Sequence, residues 1–175
     1  MTMPVNKIMA ELADREAIRE CLYRYARGVD RLDADMLRSA YWPDAIDKHL
    51  EFHGNTEECI AWSVPVMGAM DQTMHMIGNV LITLHGSTAD AESYFYGYHR
   101  VNMGAQKCDV IGAGRYLDRF EKRGEEWRII ERLVLTDWFR QYPDSADWEA
   151  GLLGLRVDMG SRHPQDPSYT RLNLK

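Results

Sequence analysis

The chain is short of most features that announce a function. Its three cysteines, Cys21, Cys59 and Cys108, are odd in number and far apart. That excludes a disulfide framework and any paired metal or redox motif, and points to buried reduced thiols. No apolar run approaches the ~20 residues of a membrane span. The opening residues hold no apolar core of signal-peptide length, so the expectation is a cytoplasmic protein with no membrane partner. Basic residues number 21 against 27 acidic ones, for a net charge of -6. Without a Lys/Arg cluster, this argues against a nucleic-acid partner. There is no Gly-x-Ser-x-Gly elbow and no phosphate-binding loop. Gly112-Ala113-Gly114 lacks both the third glycine and the following helix of a dinucleotide fingerprint.

What is present fits one domain. At 175 residues the chain can bury roughly 70% of its unfolded surface. Ile8, Leu12, Ile18, Leu22, Tyr25 and Val29 form the stripe of a first helix, weakened near its end by Gly28. Asp33 or Asp35 can cap a short second helix, which Trp42-Pro43 stops. Ala45 to His53 reads as a short strand pair or an irregular arm. Asn55 and Glu58 resemble a capping box opening a third helix, which Pro65 should kink or end. Four long extended segments follow, 73–84, 89–101, 108–123 and 127–140, with Gly-containing turns at 85–87 and 123–125. Helices first and an antiparallel meander after predict an α+β fold with helices on one face of a curved sheet. From Pro143 onward periodicity is lost. Trp148, Leu152, Leu153, Leu155 and Tyr169 predict that this tail packs on its own subunit or a neighbour.

Two places carry chemistry. Asp30 ends the first helix, where unpaired carbonyls disfavour a carboxylate by a few tenths to ~1 kcal/mol. Arg27, Arg31 or a histidine from elsewhere must compensate it. His75 lies in the first long strand, with Ile77, Asn79 and Leu81 expected on its side of the pleat. A three-residue turn would place His99 opposite it, a two-residue turn Tyr98. The second place is His49-Leu50-Glu51-Phe52-His53: in an extended segment His49, Glu51 and His53 share a face and form a metal alternative.

The segments DREAIRECLYRYARGVDRLD, YWPDA, TMHMIGN, YHRV, GRYLDRF and EWRIIERLVLTDW, taken in order, resemble the SnoaL-like branch of the nuclear transport factor 2-like superfamily. The resemblance implies a cone-shaped α+β domain over residues 1–142, in which a bent sheet and three helices enclose a deep pocket, with 143–175 as a tail on the pocket or a neighbouring subunit. Similar enzymes, among them scytalone dehydratase, hexachlorocyclohexane dehydrochlorinase and formaldehyde-releasing lyases of lignin-derived diaryl compounds, perform eliminations with an Asp–His pair and no cofactor. By position the resemblance assigns Asp30, His75 and Tyr25 to catalysis, and Tyr41, His99 and Arg140 to a small aromatic or alicyclic substrate. Trp42, Asn79, Phe95 and Trp138 complete the expected substrate-binding set. Related proteins form trimers or dimers, so a homo-oligomer is expected. The leading expectation is a lyase releasing water or formaldehyde; the alternatives are a binding or assembly module and a metal-dependent enzyme using His49 and His53.

Overall fold

In a computed structural model that describes residues 4–104, 106–143 and 160–173, helices precede a four-strand meander. Helix α1 (Val5–Arg31) buries Ile18, Cys21, Leu22, Tyr25 and Val29 along one face. The stripe expected from Ile8 is buried only from Ile18: Ile8, Met9 and Leu12 are 40%, 60% and 55% exposed. The sheet ends first. Asp14 is bonded by Lys122 and Trp127 beside one hairpin turn, and Arg15 reaches the Ile82 carbonyl near the other, so the turns before Asp14 overhang the sheet.

The end of α1 sets the geometry of the site. Leu32 takes the left-handed conformation (φ 56°), and the Asp33 N–H returns to the Gly28 carbonyl. Gly28 has a packing reason: a Cβ there would lie 2.9 Å from the Leu37 nitrogen of the next helix. That helix, α2 (Ala34–Ala40), is capped by Asp33, which accepts from the Met36 N–H at 3.0 Å. Strands β1 (Tyr41–His49) and β2 (Phe52–Asn55) form the expected short pair. The capping box at Asn55 and Glu58 opens α3 (Thr56–Gly68) as expected. Pro65 does not end α3, which runs on to Gly68; so near the terminus a proline forfeits little of the hydrogen-bond ladder.

Strands β3 (Gln72–His85), β4 (Thr88–Met103), β5 (Gln106–Arg123) and β6 (Glu126–Pro143) form the antiparallel meander. The sheet order is β2-β1-β6-β5-β4-β3, a curved, unclosed sheet with β2 and β3 as edges. One pairing departs from the expected antiparallel sheet: β1 lies parallel to β6. No hairpin joins those two strands, so nothing forces them antiparallel. The ladder between β3 and β4 slips by one residue between Ile77 and Val80. Past that bulge Val80, Ile82 and Leu84 pack toward the core, whereas Asn79 is exposed and Leu81 is 68% exposed. The core joins the buried face of α1 to Ala89, Ala91, Tyr116, Phe120 and Ile129 on the sheet.

The tail residues Trp148, Leu152, Leu153 and Leu155 lie outside the described residues. Tyr169, in the short α4 (Ser168–Arg171), donates to Asp33 at 2.8 Å, and the Arg27 guanidinium lies 4.7 Å from its ring. Among the described residues no helix is long and apolar enough to cross a membrane.

Candidate active site

The C-terminal end of α1 meets the open edge of β3. There Asp30, 5% exposed, accepts two hydrogen bonds from one residue: the His75 backbone N–H at 2.7 Å and the ring Nδ1–H at 2.8 Å. An edge strand has outward N–H groups without ladder partners, and the carboxylate takes the one at His75. Burial would raise the Asp30 carboxyl, but the hydrogen bonds and charge of His75, helped by the Thr73 hydroxyl, hold it below the usual carboxylate value. Asp30 is therefore ionised and can only accept. Nδ1 must carry a proton, so in the neutral form of the ring the lone pair lies on Nε2.

Neither residue expected opposite His75 is there. The two-residue turn alone would bring Tyr98, but the bulge shifts the ladder and seats Gly97 against His75. Tyr98 faces the other side, donating to Asp109 at 2.7 Å. His99 still reaches the site diagonally, its ring edge-to-face with His75 at 5.1 Å between centroids. Gly97 makes this approach possible. A Cβ at Gly97 would stand 3.0 Å from His99 Cε1, 3.4 Å from His75 Cδ2 and 3.5 Å from His75 Nε2. Beside it on the next strand is Gly112, where a Cβ would meet no described atom within 4 Å. Neither glycine adds a side chain beside the two rings. Burial, with the charge of His75 beside it, pushes His99 down to about 4, so it is neutral near pH 7.

Deeper in the fold sits a cation that sequence reasoning passed over. Arg132 is 0% exposed and pairs in a fork with Asp118, both contacts at 2.7 Å. Its guanidinium lies 4.0 Å from the Tyr25 ring centroid and 4.2 Å from that of Tyr116. Phe95 stacks on Tyr116 at 4.7 Å. Burial raises the Tyr25 and Tyr41 phenols well above their ordinary value, so both stay protonated. Tyr41 already donates to Asp47 at 2.7 Å and accepts from Arg132 at 3.3 Å. The available signal was a pair of opposite charges in the inward rows of one hairpin's two strands.

His75, Asp30, His99 and Gly97 thus meet directly, while Phe95, Tyr116, Tyr25 and Arg132 form a second group in contact with one another. Other expected site residues are not gathered here. Trp42, one step from inward-facing Tyr41, donates to the Glu121 carbonyl at 2.9 Å, with Arg123 and Arg128 each 4.8 Å from its ring. Trp138 is 45% exposed, in register with Ala113 and beside Tyr96 on the convex face, with Arg140 at 5.8 Å. Asn79 is on the exposed side of the bulge. The expected His49-Glu51-His53 face is broken by the hairpin: His53 pairs with Lys48 and His49 with Phe52, so the two histidines point to opposite sides. His49 turns inward, 5.4 Å from Trp62, where burial pushes it down to about 3. Among the described residues no three His, Cys, Asp or Glu side chains are grouped to hold a metal.

Comparison with known proteins agrees with this arrangement at the level of fold. LinA matches with a TM-score of 0.71 and 18% identity, over 78% of this chain and 95% of its own. A type 2 LinA hexachlorocyclohexane dehydrochlorinase gives 0.71 and 17%, over 82% of this chain and 99% of its own. A Novosphingobium aromaticivorans protein assigned as a scytalone dehydratase gives 0.67 and 19%, over 84% and 97%. No curated protein matches. The SnoaL-like domain family matches residues 10–133, from within α1 into β6. With the helices, the curved sheet and that span in agreement, the chain belongs to the SnoaL-like branch of the nuclear transport factor 2-like superfamily.

Proposed function

We propose that this protein is a cofactor-independent lyase that eliminates water or formaldehyde from a hydroxylated aromatic small molecule, of the lignin-derived diaryl kind. One observation carries the reading: Asp30 holds His75 by two hydrogen bonds, and the neighbour of Nε2 on the next strand is Gly97, with no side chain to cover it. An imidazole so held has a fixed tautomer, and its carboxylate stabilises the imidazolium that forms when Nε2 takes a proton. In dehydration Nε2 removes the proton beside the leaving group and returns it to the departing hydroxyl. In formaldehyde release a para-hydroxybenzylic hydroxyl first leaves as water to give a para-quinone methide; Nε2 then takes the proton of the adjacent primary alcohol, the C–C bond breaks to free formaldehyde, and the electron pair passes into the quinone methide to restore the phenolate. Tyr25 stays a neutral phenol over Arg132 and is suited to donating toward developing negative charge. The dehydratase and dehydrochlorinase among the structural neighbours are named for eliminations, which supports the same class here.

A binding or assembly module on this scaffold would have no need of a paired carboxylate and imidazole, so the hydrogen bonds favour catalysis. Mass-spectrometric screening of hydroxylated aromatics for loss of water, halide or formaldehyde tests the reading. Turnover should vanish in His75→Ala and fall steeply in Asp30→Asn. Wild-type rates in both variants, or no turnover across the panel, would overturn it. We take the active form to be a homo-oligomer, dimer or trimer, since Met74, Met76 and Trp138 on the convex face are 50%, 55% and 45% exposed. Light scattering checks this, and a monomer refutes it.

A further inference from the structure

Behind Asp30, on the side away from His75, the C-terminal segment inserts Arg162. One guanidinium nitrogen donates to the Asp30 carbonyl and, at 2.8 Å, to the Thr73 hydroxyl. A second nitrogen reaches the Met67 and Met70 carbonyls at 3.4 Å and 3.3 Å. Those acceptors belong to the end of α1, the end of α3 and the start of β3. Two helix C-termini, both rich in unpaired carbonyls, therefore converge on one cation. The segment is fastened on either side of it. Arg31 donates to the Ser161 carbonyl at 2.7 Å and to Asp166 at 3.3 Å, and the His163 N–H returns to the Arg31 carbonyl at 2.7 Å.

Thr73 is the link to the site. It is 2% exposed, lies two residues before His75 on β3, and works against burial to hold the Asp30 carboxyl down. A hydroxyl has one proton to give. With Arg162 donating to the Thr73 oxygen, that proton is free for Asp30, and the neighbouring cation polarises it. We propose that Arg162 is a positioning residue for the Asp30–His75 pair, acting through a relay from guanidinium to Thr73 hydroxyl to Asp30 carboxylate to the His75 Nδ1–H. Its catalytic meaning rests on the lyase reading; the relay itself belongs to the ligand-free protein. The charged and titratable groups around it are His75 on β3, Arg31 on α1, and Arg162 with Asp166 in the C-terminal segment. His99 of β4 meets the His75 ring, and His49 of β1 and Arg132 of β6 act from the interior.

The test is carboxyl ¹³C NMR titration of Asp30 in the ligand-free full chain, for wild type, Arg162→Met, Thr73→Val and the double variant. Loss of either link should raise the Asp30 midpoint by about one pH unit, a tenfold gain in proton affinity. Because one relay is cut in each case, the double variant should show no further shift. The His75 Nδ1–H proton signal should move upfield in parallel, and Arg162→Lys should recover part of both effects. An unchanged midpoint and an unchanged Nδ1–H signal in Arg162→Met would sink the proposal, as would fully additive shifts. If Arg162→Met does not fold, Thr73→Val decides: it removes only the hydroxyl, and an unmoved midpoint refutes the relay. Turnover is judged separately. Shifts at Asp30 with no turnover anywhere would overturn the lyase reading alone; turnover with no shifts would overturn the relay alone.

Discussion

Gly97→Ala is the sharpest test of where substrate meets the base. The added methyl carbon would stand 3.5 Å from His75 Nε2 and 3.4 Å from Cδ2. A base needs its reacting partner within ~3–3.5 Å, so the methyl occupies the shell that a substrate atom must enter from that side. Displacing the substrate on the order of 1 Å costs ~10²-fold in rate, or ~2.7 kcal/mol at ~1.36 kcal/mol per decade. Stability should hardly follow. Alanine regains ~0.5–1 kcal/mol over glycine inside a strand, while the His99 ring, whose Cε1 would be 3.0 Å away, must yield by a few tenths of an ångström. The net change should stay within ~1 kcal/mol, a melting shift of only ~2–4 °C for a chain of this size. Gly97→Val, with two more methyls, should fall to the His75→Ala level. Steady-state kinetics on the substrate found by screening, beside a thermal melt, reads both quantities. Full kcat/KM in Gly97→Ala would show that Nε2 is not approached past Gly97. Lost activity with a melt more than ~10 °C lower would show that the glycine serves folding instead.

Asp30→Asn keeps the size of the side chain but removes the carboxylate that fixes the His75 tautomer, so kcat should fall by ~10³–10⁴ with the melt little changed; a loss under tenfold would refute the role. Arg132→Leu strands Asp118 in the interior without its forked partner and should destabilise by ~3–5 kcal/mol. Adding Asp118→Leu should recover most of that in urea titrations, and no recovery would refute the pairing argument. Burial holds His49 at about 3 and His99 at about 4. Unfolded histidines take protons near ~6.5, so the unfolded state binds more protons as pH falls below that value, and stability falls with it by up to ~1.4 kcal/mol per pH unit per histidine. Urea midpoints should therefore drop from pH 7 to pH 5, less so in His99→Gln, before the buried Asp47 and Asp118, whose carboxyls burial raises, act in the opposite sense. A flat profile over that window would refute the burial of neutral rings.

What the sequence disclosed and what it hid divide along local and nonlocal physics. The Asn55–Glu58 capping box, the Asp33 cap and the glycine turns depend on neighbours a few residues away, and each lies where the chain alone places it. A carboxylate at a helix C-terminus showed that Asp30 needs a partner; the choice of His75 over Arg27 and Arg31 came from the resemblance. Strand faces were not. One extra residue between Ile77 and Val80 reverses every later side chain on β3, which removes Asn79 from the inner face and seats Gly97 against His75. A similar slip between Ala113 and Gly114 accompanies Trp138 and Arg140 on the convex face. Glycines such as Gly78 mark where a bulge is allowed, yet only the packed sheet chooses it. Arg132 stayed hidden because its meaning comes from Asp118 and two tyrosine rings on other elements.

The same contrast fixes the sign of one further substitution, Asp30→Ala. Seen within α1 alone, removing a misplaced charge from the last turn should stabilise by up to ~1 kcal/mol. In the assembled fold that carboxylate accepts the His75 N–H at 2.7 Å and the ring N–H at 2.8 Å. Charge-assisted hydrogen bonds contribute ~1.5–3 kcal/mol each. Alanine would also leave the His75 backbone N–H, on a strand that is an edge among the described residues, without its acceptor, at ~1–3 kcal/mol. The tertiary terms outweigh the helical one, so Asp30→Ala should destabilise the full chain by ~2–4 kcal/mol in urea unfolding at pH 7. Stabilisation instead would mean that the pair is held under strain, at the expense of the fold, with the carboxylate tolerated only for what it does to His75.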